Sequence, residues 1–347
     1  MASSQNMQND TPALTTLSYA GDVILKPSGH GKPAIRLLCS SICLGHGSSV
    51  FKAMFEPDRF AEGQTLSVDS PPEIPLPEDH PQAIERLCKI LHFRSGDDIA
   101  WDIDHYADVA IVSEKYDCRD AVVAWFQMSV PRIWAQNRPF YDEKLPFVSY
   151  VLGLPSEFAK VTKRIILSHT KALNPVTATH KTDLVPLELL QELETRRQVA
   201  LQNATDALKP EFVQRIGLGT MTVAAMCPRE RAVADSWLHN LISSGLLFMP
   251  LVQSVEAIKF RVDGHFAKLP IEHGVAACSS NIPFWQGRCG CQTGESKRDH
   301  LSAEIGFMIT MTKGMCLDCF YRKVSDGAID RHCRVSFDHD GMKKPES

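Results

Sequence analysis

The sequence lacks the short motifs that assign a chemistry directly. It has no P-loop, no GxGxxG, no GxSxG and no HExxH. Cysteine and histidine abound, with 11 and 13 residues, yet no pair carries the local signature of a Cys/His hydrolase. The carboxylates of WDID, Asp102 and Asp104, stand before a helical pattern, and that position points to capping. No long apolar run is present. LISSGLLFMPLV (Leu241–Val252) is too short and broken to span a bilayer. The opening MASSQNMQNDTPALTT has neither the basic nor the apolar region of a signal peptide. No basic stripe stands out, with 37 Lys and Arg against 41 Asp and Glu, so nucleic acid is not expected as a main ligand. No internal repeat is visible, which argues against an attached repeat array. A soluble, intracellular protein is expected, whose cysteines are free thiols or metal ligands rather than disulfides.

What is present, over 347 residues, reads as blocks. Residues 1–17 are expected to be a disordered lead and 337–347 a disordered tail. The block 18–136 mixes strands and helices. GDVILKPS (Gly21–Ser28) and AIRLLCSS (Ala34–Ser41) read as an antiparallel pair around the turn-rich PSGHGKP. Leu66–Val68 and Ile74–Leu76 read as short strands. EDHPQAIERLCKILHF begins a helix with Asp79 as its cap and Pro81 in its first turn, and Ile84, Leu87, Cys88 and Leu91 share one face. Asp104–Tyr116 and Arg119–Val130 continue helically, the former burying Tyr106, Val109, Ala110 and Ser113. This order predicts an α+β fold. Residues 137–210 read as a helical extension split at Pro155, with Asp183 capping a helix that lines up Leu189, Leu193 and Ala200. Residues 211–336 read as a Cys-rich helical module, with a helix over Pro228–Leu247 turning Val233, Trp237, Leu241 and Ile242 inward.

SSVFKAMF (Ser48–Phe55) places Phe51, Met54 and Phe55 on one helical face. Together with Gly21-Asp22-Val23, ICLGHGSSVFKAMF, EIPLPEDHPQAIERLCKIL and ADVAIVSEKYDCRDA, in that order, it makes the first block resemble the BTB/POZ domain. The resemblance implies a partner-recruiting module that commonly forms homodimers, with Phe51 and Phe55 mainly in the domain core. Many members of that family carry a His where this chain has Ser40, near a buried Asp matching Asp22. Asp22 is therefore expected to bond Ser40, a backbone N–H or water. Phe60-Ala61-Glu62 is similar to the hydrophobic-x-Glu pattern by which some BTB adaptors hold a cullin scaffold, Phe60 as anchor and Glu62 as orienting charge. The favoured reading of this triplet is an ordinary surface loop with Phe60 folded back on the domain. The whole layout resembles fungal BTB-domain proteins of undefined role.

Near the other end stand GRCGCQTG and GMCLDCF. Cys289 and Cys291, with Cys316 and Cys319, offer four thiolates for one tetrahedral structural Zn²⁺. Gly290 and Gly314 supply bends, and Cys-x-x-Cys is the stronger of the two signals. Cys227, Cys278, Cys333 and His332 are reserve ligands. Asp318 would blunt a redox motif by disfavouring a second negative charge. The competing reading makes Cys316 and Cys319 small core side chains. The sequence thus points to a non-enzymatic interaction protein that self-associates and recruits partners through its first block. A substrate adaptor of a cullin-based ubiquitin ligase is the first alternative, and a zinc-binding transcriptional regulator the second.

Overall fold

A computed structural model describes residues 12–94, 102–135, 141–170, 185–216, 239, 242–246, 254–266, 294–324 and 333–335. It is a mixed α+β structure. The chain divides into two compact units, Met1–Leu154 and Pro155–Ser347. Asp183, the expected cap of the long helix, and most of the helix expected over Pro228–Leu247 lie outside the described residues.

In the first unit, strands β1 (Leu14–Thr16), β2 (Val23–Pro27), β3 (Arg36–Cys39) and β4 (Glu73–Leu76) form one sheet in the order β1-β3-β2-β4. β2 and β3 are the expected antiparallel pair, in the register Ile24↔Leu38. β4 adds parallel to β2, and β1 adds parallel to β3. Two corrections follow. Leu14–Thr16, placed in the disordered lead, form an edge strand. Leu66–Val68 is no strand, and Ser67 makes a single backbone bond to the Asp22 carbonyl.

Helices α1 (Ser41–Gly47) and α2 (Ser49–Met54) follow β3, each capped by the serine before it, Ser40 and Ser48. A short α3 (Ala61–Gln64) leads to β4, then come α4 (Pro81–Leu91), α5 (Ile103–Lys115), α6 (Arg119–Ala135) and α7 (Tyr141–Val151). Phe51 and Phe55 are buried as expected, and Phe51 stacks on Tyr116 with ring centroids 4.4 Å apart. The core-facing residues of α4 and α5, including Ile84, Leu87, Tyr106, Val109 and Ser113, are all buried. Asp102 caps α5 in a reciprocal capping box with His105. α7, read from the sequence as extension, packs on α5 within this unit, and Lys144 pairs with Asp104.

The cap of α4 differs from expectation. His80 Nδ1 takes the Ala83 N–H, and Pro81 opens the helix. Asp79 is instead buried, accepting from Lys115 Nζ and the Tyr116 hydroxyl, each at 2.7 Å. Two neighbouring residues can each cap, and the one with distant donors waiting turns inward. Asp22 also finds donors, though not Ser40. Its Oδ1 accepts the Ser41 N–H at 2.7 Å and its Oδ2 the Ser41 hydroxyl at 2.6 Å. The Ser40 hydroxyl is committed to capping α1, and the Ser40 N–H donates to His92 Nε2 at 2.9 Å.

The second unit is helical: α8 (Pro155–Ser168), α9 (Leu187–Ile216), α10 (Val255–Phe266), α11 (Gly294–Met311) and α12 (Leu317–Val324). Leu167, Leu201, Ala204, Val255, Ile258, Leu301 and Ile305 form its main apolar cluster, with Ala200 packed against it. Leu189 and Leu193 are buried as the spacing predicts. Ile242, expected to face inward, is exposed, and the helix there stops before Leu247. Gly245, at φ 67°, turns the chain out of the helix and closes on the Ile242 carbonyl.

Candidate metal centre

Cys316 stands immediately before α12, and Cys319 lies in its first turn. The segment carrying them is fixed to α8. Thr162 is fully buried, and its hydroxyl accepts the Met315 N–H at 2.8 Å while bonding the Phe158 carbonyl at 2.7 Å. Gly314 is the position where backbone meets backbone: a Cβ there would collide with the Ala159 carbonyl oxygen. The sequence assigned this glycine a bend, and close approach is its additional requirement.

A third cysteine joins the pair. The Cys333 sulfur lies 3.5 Å from that of Cys316, and the sulfurs of Cys316, Cys319 and Cys333 all fall within 4.8 Å of one another. A disulfide needs about 2 Å, so these are three reduced thiols. A tetrahedral zinc with Zn–S bonds of about 2.3 Å sets its sulfurs roughly 3.8 Å apart. The observed spacings suit that ion. All-sulfur donors favour Zn²⁺ over Mg²⁺ or Ca²⁺, which take oxygen.

The electrostatics have two opposing parts. Burial pushes the Cys316 thiol well up, while a hydrogen bond from the Cys319 N–H pulls the other way. Burial also raises Cys319, against a hydrogen bond from Cys316. A divalent ion reverses this balance, because a coordinating thiol gives up its proton outright. Asp318, between the two cysteines, has 0 % of its surface exposed. Its carboxylate accepts the Arg334 backbone N–H at 3.0 Å, Nε at 3.1 Å and Nη2 at 2.8 Å. Its charge is thus matched by a guanidinium, a partner that the sequence did not indicate.

Of the four expected ligands, the structure brings Cys316 and Cys319 together. Cys289 and Cys291 lie outside the described residues, as do Cys227, Cys278 and His332. Cys333, named only as a reserve, is the third member of the cluster. The competing core-packing reading is also supported, since Cys316 and Cys319 are buried and Val335 packs with these cysteines. It leaves unexplained why a buried carboxylate, Asp318, sits between them, paired with the exposed Arg334.

The other predicted site is in the first unit. Phe60 is the N-cap of α3 and is 50 % exposed, so its ring is not folded back. Glu62 is half-buried in the first turn. Elsewhere in this unit Cys88 is fully buried, and its neighbour Cys39 and burial together raise its pKa. His92 bonds backbone through both ring nitrogens, Nδ1 to the Cys88 carbonyl at 2.7 Å and Nε2 to the Ser40 N–H. No helix among the described residues is long and apolar enough to cross a membrane. Compared with known proteins, the chain matches no family model and no curated protein.

Proposed function

We propose that this chain is a non-enzymatic interaction protein. Its first unit is a BTB/POZ-like module for self-association and partner recruitment, and its second unit holds a structural Zn²⁺ on buried cysteines. Each stretch that carries the family resemblance occupies a coherent place in one core: Gly21-Asp22-Val23 at the start of β2, the α1–α2 pair, the β4–α4 step and α5 running into α6.

The observation that carries the self-association reading is the sheet edge at β1. Its outer side has no partner strand among the described residues, and open edges template pairing with another chain. Arg94 donates to the Thr16 carbonyl and stacks over the Tyr19 ring, while the neighbouring His92 reaches the α1 N-cap. These linked segments expose Tyr19 at 88 %, Phe93 at 93 % and Ile42 at 67 %. Exposed apolar side chains on these segments offer contacts to a partner. Sedimentation at rising concentration tests it: Ile42→Asp is expected to weaken self-association without lowering the melting temperature. An unchanged association constant would contradict the surface assigned here.

The cullin-adaptor reading is favoured by one observation, the exposed Phe60 ring beside Glu62. Phe60→Ala is expected to leave the fold and self-association intact, and to abolish cullin capture if that scaffold is a partner.

A further inference from the structure

We propose that the Asp318–Arg334 pair is the outer shell of the metal centre: it delivers Cys333 to the ion and makes the third thiolate a ligand. This rests on the zinc reading above. Cys316 and Cys319 reach the site through one helix start, but Cys333 is distant in sequence and lies outside any helix or strand. Its position needs a tether, and each half of the ion pair is adjacent to a ligand. Asp318 sits between Cys316 and Cys319, and Arg334 follows Cys333.

The bond from the Arg334 N–H to Asp318 Oδ2 holds the peptide that follows Cys333, and so limits where the Cys333 side chain can start. The guanidinium fork then closes on both carboxylate oxygens, a geometry that Lys cannot reproduce. Charge supports the same assignment. Three thiolates and one divalent ion carry a net charge of about −1, and Arg334 directly follows Cys333 in the chain. It therefore offsets the buried carboxylate while facing an anionic complex. Partners of this kind orient ligands, and their loss typically costs about 10–100-fold in metal affinity.

The test is Co²⁺ substitution of the full chain under reducing conditions. The near-ultraviolet sulfur-to-cobalt band counts bound thiolates, and competition with a chromophoric chelator gives the affinity. The wild type is expected to show at least three thiolates, and Cys333→Ser one fewer. Arg334→Met is expected to lose about 10–100-fold in affinity and to show the thiolate count of Cys333→Ser. Arg334→Lys, which keeps the charge and is less disruptive to folding, should fall between. If Arg334→Met and Arg334→Lys both keep the wild-type affinity and count, the pair only stabilises the fold and the proposal fails. A wild-type count of two, or a count unchanged in Cys333→Ser, also overturns it. If the wild type binds neither Co²⁺ nor Zn²⁺, the zinc reading itself has failed, a result distinct from the others.

Discussion

Phe51 and Phe60 lie nine positions apart and illustrate opposite fates for an aromatic ring. Phe51 is fully enclosed and stacks on Tyr116, whereas Phe60 stands open at a helix N-cap. Phe51→Ala should cost about 3–5 kcal/mol, as emptying a buried aromatic site does. Phe60→Ala should stay within about 0.5 kcal/mol, the usual range for surface changes. Thermal melts compare them directly, and equal melting temperatures would refute the core assignment of Phe51. Asp79 is a polar counterpart. Asp79→Ala strands the buried Tyr116 hydroxyl and should cost about 1–3 kcal/mol, measured by urea unfolding. His92 gives a pH signature. Burial lowers its pKa below the ordinary 6.5. The unfolded chain therefore binds a proton that the folded chain resists, and stability is lost as pH falls below about 6.5. His80 is shifted the same way, also chiefly by burial. His92→Gln keeps an acceptor for Ser40, so its melting temperature should fall less between pH 7.5 and 5.5 than that of the wild type. An identical fall would remove His92 from the account.

At the scale of elements, the sequence carried the periodic signals well. The β2–β3 pair, α4, α5 and the split at Pro155 all follow from apolar spacing and turn residues, which are local properties. The failures are long-range. Nothing in EDHPQ shows that Lys115 and Tyr116 wait for Asp79, so His80 takes the cap. Leu14–Thr16 form a strand because β3 offers an edge. Two of the three cysteines of the metal cluster were legible in Cys316-x-x-Cys319, whose spacing is a signal in itself. Cys333 was named only as a reserve, since a lone cysteine has no spacing to read, and the Arg334 contact with Asp318 beside it is long-range. This element-level view predicts that Gly314→Ala dislodges the Cys316–Cys319 segment from α8. Metal content should fall while the first unit, a separate compact body, stays folded. Metal analysis beside limited proteolysis checks both halves, and full metal content in Gly314→Ala would contradict it.

At the scale of the whole molecule, the two units suggest a division of labour. The first combines an enclosed aromatic core with an open sheet edge and exposed Tyr19, Ile42 and Phe93. The second gathers three thiols, two of them buried, beside the Asp318–Arg334 pair. The central claim is that the first unit joins one copy of the chain to another. The mass of the full-length protein in solution, read by light scattering at micromolar concentration, tests this most directly. The account predicts a species of twice the 38.6 kDa chain mass. A folded protein of single-chain mass across that range would contradict it.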